Sequence, residues 1–174
     1  MQSINNFLII ILSEVKRGLA AIMFTDIAGY TAMMQENEAE ALLHRNRQRL
    51  VLDDLISGHK GNILQTFGDG TLAVFTSALD AVSCAVKIQL ELQCEPVCPL
   101  RIGIHTGDIT YSEKDVYGDG VNVASRIESV STAGGVFISD KVFDEIRNQP
   151  SLPAVSMGMF EFKNVSRPVE VYAL

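Results

Sequence analysis

The stretch "ILQTFGDGTLAVF", Ile63 to Phe75, constrains the fold more than any other part of the chain. Two apolar, strand-like runs flank a Gly-Asp-Gly. It reads as a tight hairpin carrying the carboxylate of Asp69 at its tip. Upstream, "LAAIMFT" (Leu19 to Thr25) is a continuous apolar run bounded by Gly18 and Asp26, the pattern of a buried central strand. Between them, Met33, Ala41, Leu42, Leu50, Leu55 and Ile56 recur at roughly helical spacing, and Gly58 and Gly61 are stop signals.

After the hairpin, Ser77 is an N-cap for "ALDAVSCAVKIQLELQ", whose apolar stripe takes in Cys84 as a small buried hydrophobe. "LRIGIHTGDIT" is the next strand, and "YGDGVNVASRIESVS" a helix entered through a Gly-rich turn. "GVFIS" is a short strand, "DKVFDEIRN" a helix capped by Ser139, and "VSMGMFEF" with "PVEVYAL" a closing antiparallel pair. The order is β-α-β-β-α-β followed by α-β-α-β-β. The fold expected is α+β: a ferredoxin-like βαββαβ core extended by further α/β elements, with a mostly antiparallel sheet flanked by helices.

The chain has 174 residues, 47% of them hydrophobic, enough for one ordinary core. We divide it into an apolar leader or linker, 1–17, and one domain, 18–174. The leader's apolar run, Phe7 to Leu12, is far shorter than the roughly 20 residues of a membrane helix and lacks signal-peptide features. A short helix at a dimer interface and the stump of a longer chain both fit it. A formal net charge of −7 argues against sequence-independent nucleic-acid binding. Three cysteines without a repeated CxxC spacing point away from a disulfide framework or zinc site, and a reducing cytoplasm fits.

In a ferredoxin-like sheet the first strand lies beside the hairpin, so Asp26 and Asp69 can reach one rim. Two converging hard oxygen donors suit Mg²⁺ or Mn²⁺, ions that usually work with a phosphate substrate. On local chemistry alone Asp69 is a turn residue. "DIAGYT" bends at Gly29 into a helix start, which sets the amides of Ala28, Gly29, Tyr30 and Thr31 where a triphosphate can bind. Asn122 and Arg126 are four apart and share a helical face. An amide and a guanidinium placed so can orient a sugar and stabilise phosphate charge, although in isolation the pair is an ordinary exposed face.

"FTDIAGYT", "TFGDGTLAVF", "RIGIHTGDI", "DVYGDGVNVASRIES" and "FKNVSRPVEVY" resemble, in order and spacing, the motifs of the class III nucleotidyl (adenylate/guanylate) cyclase catalytic domain in its bacterial form, across about Leu19 to Tyr172. The resemblance implies metal-binding roles for Asp26 and Asp69, with the Ile27 carbonyl as a further ligand. It implies triphosphate contact by Arg101, ribose positioning by Asn122 and transition-state stabilisation at the α-phosphate by Arg126. Asp115 would accept from the adenine amino group, and Gln65 falls where purine-selecting residues sit. Lys163 lies in the loop that often supplies a phosphate-binding lysine. His105 is given a structural role.

The implied reaction is ATP to 3′,5′-cyclic AMP and pyrophosphate with two Mg²⁺ or Mn²⁺ ions per site. The implied assembly is a head-to-tail homodimer in which one hairpin serves two sites, Asp69 in one and Gln65 in the other. Gln65 departs from the pattern, which commonly has Lys in adenylate and Glu in guanylate cyclases. A glutamine amide can donate to adenine N1 or accept from guanine N1–H, so guanylate cyclase remains an alternative. Cytosine also presents an amino group to Asp115, which keeps a pyrimidine nucleotide open. A catalytically silent cyclase-homology module is the alternative of another class.

Overall fold

The computed structural model describes residues 16–111 and 116–174. The apolar leader lies almost wholly outside the described residues, and so does Asp115. Strand β1 (Lys16–Ile27) leads into helix α1 (Tyr30–Glu36) and helix α2 (Glu38–Gly58). The hairpin follows as β2 (Asn62–Phe67) and β3 (Gly70–Phe75), then α3 (Ala78–Leu92) and β4 (Leu100–Tyr111). Next come β5 (Val116–Tyr117), α4 (Asp119–Val130), β6 (Val136–Ser139), α5 (Asp140–Ile146), β7 (Val155–Phe160) and β8 (Val169–Ala173).

The strands form one sheet in the order β2-β3-β1-β4-β6-β8-β7, with β5 paired to β4. All pairings are antiparallel except β4–β6. The mixed α+β architecture is the one expected, with β1 central and the hairpin beside it. Two local features differ from the sequence reading. The first helical region breaks at Asn37, whose extended backbone (φ −152°) ends α1 and whose side chain accepts from the Glu40 amide to start α2. The Gly-rich turn before α4 also contains the short strand β5.

One sheet face is covered by α2, α3 and α5. Met23, Phe75, Ile88, Ile102, Ile104 and Ile138 are buried there, each contributing about 1.5–3 kcal/mol by leaving water. α3 and α5 begin at the expected caps: Ser77 accepts from the Asp80 amide and Ser139 from the Val142 amide. The α3 stripe buries Cys84 as expected. The α2 stripe is not the one its leucines suggest. Leu50 is 73% exposed, while Ala41, His44, Gln48, Leu52 and Ile56 turn inward. Gln89 on α3 ties the sheet together, donating to the carbonyls of Leu100 (3.0 Å) and Gly135 (2.9 Å).

Helix α4 lies on the other face. Its Val123, Ala124 and Ile127 pack on Ile22, Ile109, Phe137 and Val171. Contact with β4 is backbone to backbone: a Cβ at Gly103 would stand 2.2 Å from the Glu128 nitrogen and 2.7 Å from the Ala124 oxygen. Only glycine permits so close an approach.

Candidate active site

Asp26, near the end of β1, sits directly opposite Arg101 of β4 in the antiparallel register. Cross-strand partners share a face, and this one is the α4 face. The Arg101 Nη2 donates to Asp26 Oδ2 at 2.8 Å. Asp69 lies in the hairpin turn between β2 and β3 at the same rim, where its Oδ2 accepts from the Ile27 amide at 3.1 Å. The two carboxylates therefore converge, with Ile27 between them in the chain.

Two residues from α2 hold the turn. Gln48, 1% exposed, donates its side-chain amide to the Asp69 carbonyl at 2.7 Å. Arg49 donates to the Gly68 carbonyl at 3.2 Å. Neither was singled out from sequence. The available signal was a polar residue in the buried i, i+4 series His44, Gln48, Leu52.

A third carboxylate approaches from α4. Glu128 Oε1 lies 3.0 Å from Arg101 Nε. The pair is close in charge but not aligned as a hydrogen bond, since neither atom has a hydrogen-bond partner. Glu128 too went unnoticed in the sequence, where it reads as one more charge of "SRIES". Its placement in the inward Ala124, Ile127, Glu128 stripe was the clue.

One guanidinium thus serves several acids. Burial pushes the Asp26 carboxyl up to about 6, with the neighbouring Asp69 raising it further against the opposing pull of Arg101. Burial likewise pushes Glu128 up to about 7, opposed by Arg101 and reinforced by Asp26 and Asp69. Burial thus outweighs the guanidinium at both carboxyls, and a divalent cation at this rim would favour their charged forms. Among the described residues no group of three or more His, Cys, Asp or Glu side chains is placed to hold a metal ion by itself. Two carboxylates and backbone oxygen, with the remaining positions open to water or phosphate, are a donor set suited to Mg²⁺ or Mn²⁺.

The bend into α1 is made by Gly29 in the left-handed region (φ 73°). Tyr30 and Thr31 open α1, where amides have no intrahelical acceptor. The expectation for Ala28 is corrected: its amide donates to the Pro99 carbonyl at 2.8 Å, so it is already committed to the fold.

Asn122 and Arg126 stand on the exposed side of α4. Among the described residues, no hydrogen bond or ion pair joins either to Asp26 or Asp69. Gln65 is exposed on β2. A bulge at Leu64 shifts the register, so Gln65 rather than Leu64 pairs with Leu72. Lys163 is exposed in the loop between β7 and β8. His105 is 5% exposed and hydrogen-bonded to the Ser139 hydroxyl at 2.9 Å, in the fold rather than at the rim. The chain therefore gathers Asp26, Ile27, Asp69 and Arg101, and leaves Asn122, Arg126, Gln65 and Lys163 facing outward.

Residues 14–174 match the family described as the adenylate and guanylate cyclase catalytic domain. A Rhizobium meliloti (strain 1021) protein named "Putative adenylate cyclase 3" is 37% identical over 167 residues, which are 91% of this chain and 28% of that protein. The chain thus spans little more than a quarter of that relative. A solved adenylate/guanylate cyclase/hydrolase from Silicibacter pomeroyi superposes with a TM-score of 0.83 at 37% identity, covering 92% of this chain and 98% of that one. The guanylyl cyclase Cya2 superposes with a TM-score of 0.78 at 28% identity, covering 91% and 92%.

Proposed function

The chain belongs to the class III adenylate and guanylate cyclase catalytic domain family, and on that premise we propose that it converts ATP to 3′,5′-cyclic AMP and pyrophosphate at sites shared between two copies. The observation that carries this reading is the division of the site within one chain. The acids and Arg101 converge on one rim. Asn122 and Arg126 point outward from α4, without a partner at that rim among the described residues. Head-to-tail pairing of two copies would bring each half against the other and close two equivalent sites.

Two divalent ions, held by Asp26, Asp69 and the Ile27 carbonyl, would make the ribose 3′-hydroxyl more acidic and screen the phosphates. The residues of the chain account for the rest. Arg101 turns from Asp26 to the triphosphate, together with the amides at Gly29, Tyr30 and Thr31. Asn122 of the other copy orients the ribose. Arg126 of that copy meets the charge that grows on the α-phosphate, so its contribution falls mainly on kcat. Lys163 adds a cation for the phosphates from the β7–β8 loop.

Asp115 favours ATP, because its carboxylate accepts from the adenine amino group and repels guanine O6. A mismatch of that kind costs roughly 1–3 kcal/mol. The exposed amide of Gln65 suits either purine, and the likeness to a guanylyl cyclase keeps GTP as the second reading. Steady-state rates with ATP, GTP, CTP and UTP in the presence of Mn²⁺ test the proposal. ATP is expected to turn over fastest. Faster GTP turnover would transfer the assignment to guanylate cyclase, and no turnover of any nucleotide would make the domain a silent module.

A further inference from the structure

Glu128 has a place in the fold that its sequence neighbours do not share. It lies two positions from Arg126, about 200° around the helix. Arg126 is exposed and Glu128 is 7% exposed. The backbone of α4 is pinned at this point, because Gly103 leaves no room for a side chain between β4 and Glu128. Arg101 is two residues from Gly103 on the same face of β4, so it meets the Glu128 carboxylate as a direct result of that packing. The guanidinium is then divided, with Nη2 toward Asp26 and Nε toward Glu128.

We propose that Glu128 is a positioning residue for Arg101, and so serves the metal-and-phosphate half of the site although it rides on the helix that supplies the opposite half. This rests on the shared-site reading above. Asp26 and the substrate phosphates compete for the same guanidinium. A carboxylate held 3.0 Å from Nε by the packing of α4 attracts that side of the guanidinium and keeps the stem of Arg101 in place while its Nη end transfers from one to the other. Without Glu128, Asp26 is the only carboxylate paired with Arg101 among the described residues. The guanidinium then rests on Asp26 and is less available to phosphate.

The first test is binding, measured by calorimetry with 3′-deoxy-ATP, which lacks the attacking hydroxyl. Glu128→Gln keeps the side-chain shape, and we expect it to weaken affinity about tenfold with thermal unfolding little changed. In an Arg101→Met background the same substitution should have no further effect, since a residue acting through Arg101 has nothing left to act on. Unchanged affinity in Glu128→Gln, or an equal loss in both backgrounds, overturns the proposal whether or not sites are shared.

The second test uses mixed dimers. Recovery of activity when Asp69→Ala and Arg126→Ala chains are mixed establishes the shared site; no recovery defeats that reading, not the binding result. Given recovery, Glu128→Ala chains should regain activity with Arg126→Ala partners and not with Asp69→Ala partners. The reverse pattern would mean that Glu128 acts by aiming Asn122 and Arg126. Rescue by neither partner would mean a general defect, and either result overturns the assignment.

Discussion

Asp26 and Arg101 face each other across the β1–β4 ladder with 2.8 Å between guanidinium nitrogen and carboxylate oxygen. The expected metal ligand and the expected phosphate ligand of the same half-site therefore satisfy one another in the isolated chain. The proposed mechanism requires that they separate, and the surrounding residues set how readily they do.

Asp69→Ala and Arg126→Ala should each lower kcat by at least about 100-fold, since the first removes a proposed ligand to the divalent ions and the second a cation aimed at charge on the reacting phosphate. Mixed in equal amounts, the two inactive variants should form heterodimers with one intact site. Cyclic nucleotide production by the mixture checks this, and an inactive mixture would sink the shared-site arrangement.

Gln48→Leu should act on the hairpin from a distance. It removes the 2.7 Å bond to the half-buried Asp69 carbonyl, a loss of about 1 kcal/mol. The half-saturating Mn²⁺ concentration should rise and the melting temperature fall. An unchanged metal requirement would show that Gln48 supports stability alone.

Gln65 is exposed, and under the proposed function it contributes to base selection from a position separable from the rest of the site. Gln65→Lys should raise the ATP-to-GTP ratio of kcat/KM, and Gln65→Glu should lower it, by about 10- to 100-fold between the two variants. An ammonium donates to adenine N1, while a carboxylate accepts from guanine N1–H. The four-nucleotide rate panel measures both.

His105 makes stability depend on mild acid. Burial pushes its pKa down to about 4, aided by the cations Lys141 and Arg167, from an ordinary value of 6.5. The unfolded chain then binds a proton below 6.5 that the folded chain refuses until about 4. Stability is thus full above 6.5 and falls as pH drops through that window, by on the order of 3 kcal/mol in total. Urea midpoints at pH 7 and pH 5 should differ more for the wild type than for His105→Gln.

Much of the fold was legible in the sequence alone. The hairpin announced itself because Gly-Asp-Gly between apolar runs has few other conformations, and Ser77 and Ser139 are caps wherever they precede an amphipathic helix. The break at Asn37 was missed, although Glu40 three residues on completes a helix-start signature. Gln48 and Glu128 were not legible. A polar residue in an apolar stripe acquires meaning only from its partner on another element, here a turn carbonyl and a guanidinium. The Ala28 amide was misassigned for a similar reason, because its acceptor, Pro99, is distant in sequence.

The bulge at Leu64 has a consequence for anyone moving this hairpin into another scaffold. Position on the sheet and count along the chain differ here by one residue. With regular pairing, the same residues would set Leu64 across from Leu72 and Gln65 across from Thr71, turning the Gln65 amide to the opposite face of the sheet. A graft that preserves every letter but straightens the strand would transplant the proposed metal-binding tip and leave the proposed specificity side chain behind.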